Sequence, residues 1–77
     1  MNTSDQDLLL DVRGLEPPEP LERVLDVLAG LAPDRRVRML IDREPHPLYR
    51  ILDNNNFQYQ VADLPDYRYE ILIWHKN

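Results

Sequence analysis

Residues 20–42, PLERVLDVLAGLAPDRRVRMLID, change their hydrophobic period once, and that change decides the fold. Leu21, Val24, Leu25, Leu28 and Leu31 recur at the spacing of an amphipathic helix. Pro20 suits the first helical turn, where its missing N–H costs nothing. Glu19 and Glu22 set negative charge at the positive end of the helix dipole. Pro33 disfavours helical geometry in the residue before it, so the helix is expected to stop near Ala32. From Arg36 to Asp42 the period becomes two: Val37, Met39 and Ile41 face one way, Arg38 and Leu40 the other. A helix therefore leads into a strand.

Working outward, LLLDV (residues 8–12) is a short apolar run ended by Arg-Gly and reads as a buried first strand. After the second strand come REPHP and then LYRILDN, where Leu48, Ile51 and Leu52 form a shorter apolar stripe. Asn54, Asn55 and Asn56 supply a stop tolerant of left-handed geometry. Phe57, Tyr59 and Val61 alternate with Gln58 and Gln60. Tyr67, Tyr69, Ile71 and Ile73 alternate with Arg68, Glu70, Leu72 and Trp74. LPDY between them is a turn, which makes these two strands a hairpin. The order is βαβαββ. Strands joined through a helix pair in parallel, so the expected fold is an α/β two-layer sandwich. A four-stranded mixed sheet carries both helices on one face. Arg38, Gln58, Gln60, Arg68 and Glu70 lie on the other, with Leu40, Leu72 and Trp74 among them. The expected domain is 7–75, with 1–6 a disordered tail and 75–77 frayed.

Composition narrows the function. Seventy-seven residues make one small domain. No apolar run approaches the ~20 residues that span a bilayer, and the polar start MNTSDQD has no leader pattern, so a cytoplasmic protein with no membrane role is expected. The absence of cysteine removes disulfides, thiolate nucleophiles and cysteine metal sites. A net charge of −5 repels phosphate backbones, so no nucleic-acid partner is expected. The basic cluster DRRVR (residues 34–38) reads as a solvated strand start.

Two proline-rich loops, RGLEPPEP (residues 13–20) and DREPHPLY (residues 42–49), each follow a strand and precede a helix. If the first two strands are parallel neighbours, both loops emerge at one sheet edge, with the strand carboxyl ends and the helix N-termini. Ligands of open α/β sheets favour that edge, and helix N-termini offer N–H groups there. Arg13, Glu16, Asp42, Arg43, Glu44, His46 and Tyr49 form the candidate ligand or partner site. Arg13 is the expected link, pairing with Asp42 or Glu44 through its planar guanidinium. The same cluster also reads as a structural salt-bridge network. His46 reads as a metal ligand, a proton-transfer group or a plain loop histidine. Tyr49 either hydrogen-bonds back to the first loop or covers the core edge. No nucleophile or oxyanion-hole signature accompanies the carboxylates, so no catalytic set, metal or cofactor is expected.

The stretch from Leu8 to Asp42 resembles the TusA/SirA-like sulfur-carrier superfamily. Its members open with a strand, then L-D-x-R-G-L, then C-P-x-P at the start of the first helix. Asp11, Arg13, Gly14, Leu15, Pro18 and Pro20 match, and Pro17 stands where the sulfur-carrying cysteine falls. Asp42, Arg43, Glu44, Pro45, Pro47, Leu48 and Tyr49 are similar to the D-R-E-P-x-P-L-Y of a cysteine-less branch, the domain of unknown function 2249 family. The resemblance implies the βαβαββ fold and no sulfur relay. It also implies a neighbourhood of hemerythrin-like and nitrogen-oxide-related proteins. The expected function is a small binding or interaction module, a monomer or weak dimer, with a protein partner or a small molecule. The alternatives are a small-molecule or metal-linked accessory enzyme of redox or nitrogen-oxide metabolism, and a non-carrier adaptor that docks to sulfur-transfer machinery.

Overall fold

In the computed structural model, which describes residues 7–76, the elements run β1 (Asp7–Asp11), α1 (Glu19–Ala29), β2 (Arg36–Ile41), α2 (His46–Asn54), β3 (Phe57–Leu64) and β4 (Arg68–His75). The expected 1–6 tail lies outside the described residues. The sheet order is β1-β2-β4-β3. β1 pairs with β2 in parallel, and β4 is antiparallel to both β2 and β3. The mixed sheet and the βαβαββ order are as the periodicity predicts, but β1 is not the buried strand that its apolar run suggests: it is an edge strand, and Leu9, opposite Arg38 on the face away from the helices, is 66% exposed.

Register sorts the side chains. Leu10 lies opposite Met39, and Met39 opposite Ile71, so these residues share a face. On that face Val37, Met39, Ile71 and Ile73 are fully buried with Val24, Leu48 and Leu52 of the two helices. Burying each such side chain contributes on the order of 1.5–3 kcal/mol. The alternating pattern of β2 thus becomes one buried row and one open row.

Several boundaries differ from expectation. α1 ends at Ala29, short of Ala32, because Gly30 is a poor helix former and caps it, its N–H donating to the Val27 carbonyl. α2 starts at His46, so Pro47 occupies its first turn as Pro20 does in α1. The turn before β4 is a short 3-10 helix, Pro65–Tyr67, with Asp66 left-handed at φ 66°. Asn56, just past α2, is left-handed too, at φ 63°. His75 is not frayed: it belongs to β4, and its Nε2 donates to the Leu31 carbonyl at 2.9 Å.

The face away from the helices carries a charge ladder. The Asp7 side chain, 6% exposed, accepts from Arg36 Nε at 2.8 Å and Arg38 Nη2 at 2.9 Å. Arg38 Nη1 donates to Glu70 Oε2 at 2.7 Å. Burial raises the Asp7 carboxyl, but hydrogen bonds and charge from the two arginines outweigh it and hold the group below its ordinary value. DRRVR is therefore a paired strand start, not merely a solvated one.

Candidate functional site

The parallel β1–β2 pair brings both proline-rich loops to one edge. Val12 N donates to Leu40 O at 2.9 Å, which holds the first loop against β2 beyond the last strand residue. Gly14 then turns the chain at φ +83°, a conformation costly for residues with a Cβ. Asp42 follows β2 directly. Its Oδ2 accepts from Gly14 N at 2.6 Å and ties the two loops together.

Arg13 does not make that link. Its Nε and Nη2 donate to Asp11 Oδ1 and Oδ2 at 2.8 and 2.6 Å, and its backbone N–H adds a 3.1 Å bond to Asp11 Oδ1. The reason is strand alternation: Val12 is buried, so Asp11 and Arg13, two residues apart, emerge together on the opposite side. The side-chain bond from Arg13, with its backbone bond, lowers the Asp11 pKa to about 2 and raises that of Arg13.

Glu44 braces the second loop. Its Oε2 accepts from the Tyr49 hydroxyl at 3.0 Å, and its Oε1 lies 3.6 Å from His46 Nε2. The Tyr49 ring stacks on Tyr59, centroids 4.8 Å apart and planes within 3°. Burial first, and then the Glu44 bond, raise the Tyr49 pKa. Tyr49 thus bonds within its own loop and does not reach the first one. The His46 side chain is 75% exposed.

Between the loops lies a groove of about 570 Å³. The core residues Val12, Met39, Ile41 and Leu48 lie buried beneath it; the half-buried Leu15, Leu21 and Pro45 and the exposed Pro17, Pro18 and Pro47 give it an accessible apolar surface, and Glu16, Asp42, Arg43 and Glu44 its charged lining. Four of the seven candidate residues therefore share the groove. Arg13, His46 and Tyr49 do not line it. Leu15, Leu21 and Met39 were read only as motif or core residues. A signal was available: two helices that both start in proline-framed loops leave an apolar gap between their first turns.

The helix N-termini are less open than expected. In each helix, three of the first four positions lack an N–H or donate it locally. Glu19 N bonds Glu16 O, Glu22 N bonds Pro18 O, His46 N bonds Glu44 O and Leu48 N bonds Pro45 O. Pro20 and Pro47 have no N–H to give. The groove thus presents apolar surface and carboxylates rather than an anion cradle. Among the described residues no three His, Cys, Asp or Glu side chains are grouped to hold a metal.

A family model described as "Uncharacterized conserved protein (DUF2249)" matches residues 9–75. No curated protein matches the chain. The crystal structure of a SirA-like protein from Desulfitobacterium hafniense is similar, with a TM-score of 0.78 and 21% identity, over 90% of this chain and 97% of that one. At that identity the likeness establishes the fold.

Proposed function

Because the chain belongs to the DUF2249 family, with a SirA-like fold, we propose that it is a cytoplasmic binding module whose working surface is the groove between the two proline-framed loops. The observation that carries this reading is the groove itself: apolar walls of Leu15, Leu21 and the loop prolines, a charged rim, and loops held in place by the Asp42–Gly14 bond and the Glu44–Tyr49 brace. Its volume lies in the range of ligand sites, about 300–1,000 Å³. A pre-shaped surface loses less entropy on binding. In this reading the module carries no sulfur. Pro17 lines the groove where the carrier superfamily places its cysteine, and the chain has no thiol to form a persulfide.

Affinity capture from the native cell tests the proposal, with Glu16→Trp as a groove obstruction and Asp63→Trp as a remote control. Both positions are exposed. The expected result is a captured species that Glu16→Trp loses and Asp63→Trp retains, both variants melting as the wild type does. Identical capture by all three proteins would remove the groove from the account.

A further inference from the structure

Resting on the groove as the working surface, we infer that its occupant is a segment of a partner protein that sets aliphatic side chains beside lysine or arginine. Three observations select this chemistry. The accessible apolar lining is Leu15, Leu21 and the loop prolines, and no buried side-chain nitrogen or oxygen among the described residues lacks a partner, so no idle polar group sits below to orient a small polar molecule. Small-molecule sites generally have such groups. The first-turn N–H groups of both helices are largely committed or absent, which removes the usual reason for an anion to bind at paired helix N-termini. The charged lining is three carboxylates, Glu16, Asp42 and Glu44, against the single cation Arg43, on a chain of net charge −5.

Each part of the groove has its own task. Leu15, Leu21 and the loop prolines take the aliphatic side chains. The carboxylates steer and orient the cations beside them and reject acidic or phosphorylated segments. Asp42 and Glu44 keep their loop bonds while doing so, because a carboxylate has lone pairs to spare. Glu16 is exposed, and among the described residues no side-chain partner engages it, so it is the carboxylate most available to a bound cation.

Amide shift mapping by NMR tests this with three short capped peptides of equal length: leucine with lysine, leucine with glutamate, and leucine with serine. The lysine peptide is expected to shift the amides of Gly14, Leu15, Glu16, Arg43 and Glu44, and to bind about tenfold more tightly than the glutamate peptide. Added salt should shrink that gap. Glu16→Lys should remove most of it without changing the melting temperature. Equal groove binding by all three peptides would overturn the charge preference while leaving the groove as a binding surface. Preference for the glutamate peptide, or lysine-peptide shifts centred on Leu9 and Leu72, would overturn the inference. Silence of the groove amides with all three would overturn it too, and the capture experiment then decides separately whether the groove works at all.

Discussion

The Asp42 carboxylate reaches from the second loop to the Gly14 N–H of the first, and it does so on an exposed edge. A hydrogen bond to a charged acceptor is worth more than a neutral one, and exposure trims it. Asp42→Ala is therefore expected to cost about 1 kcal/mol in urea denaturation. Arg13→Ala should act elsewhere. Its partner Asp11 titrates near 2 against an ordinary 3.8. The lowered pKa means that this pair stabilises the fold above pH ~4 and that its contribution fades as pH falls toward ~2. In Arg13→Ala, a carboxyl NMR titration should find the Asp11 pKa raised toward its ordinary value but still below it, because the backbone N–H of residue 13 keeps its bond to Oδ1. A pKa still near 2 would mean that something other than the Arg13 side chain holds it down. Which carboxylate Arg13 chooses was not legible in the sequence. The expected partners were Asp42 and Glu44; the carboxylate it takes, Asp11, follows from the direction in which Val12 points.

Elements were legible where period carried the signal. α1, β2 and the β3–β4 hairpin each bury one face, and that face repeats at 3.6 or at 2 residues. Boundaries were less legible, because they depend on single residues: Gly30 ends α1 early, and Pro47 sits inside α2 rather than before it. The two glycines give a paired prediction. Gly14 sits at φ +83° with open space where a Cβ would stand, so Gly14→Ala is strained by the backbone alone and should cost about 1–2 kcal/mol. Gly30, at φ −110° and also in open space, should accept alanine without loss. Thermal melts of the two variants check this, and equal losses would contradict it. α2 is held by Leu48 and Leu52, both wholly buried, and truncating either to alanine is expected to cost about 2–5 kcal/mol.

At the scale of the molecule there is one helical layer on one sheet. The shortest principal extent, 17 Å, fits that two-layer build, and no other described element covers the outer sheet face. The Asp7–Arg36–Arg38–Glu70 ladder lies on that face. Removing one member of a well-buried ion network costs several kcal/mol, but both arginines are more than a third exposed. Asp7→Ala is therefore expected to destabilise by about 1–2 kcal/mol, read in the same urea assay. The ladder could have been found from sequence. Once β1 and β2 are parallel neighbours, alternation puts Asp7, Arg36, Arg38 and Glu70 on one side. The groove could not be read so directly, because its apolar surface comes from loop prolines and from Leu15 and Leu21, whose approach across the two loops no periodicity marks.

Two surfaces thus compete for a working role: the groove, and the open sheet face with Leu9, Leu40, Leu72 and Trp74. Adding the captured partner to isotope-labelled protein and mapping the amide shifts separates them. Shifts are expected to concentrate in residues 12–21 and 39–48 and to be lost in Glu16→Trp. Shifts concentrated on β1 and β4 around Leu9, Leu72 and Trp74, with residues 12–21 unmoved, would contradict the groove as the working surface.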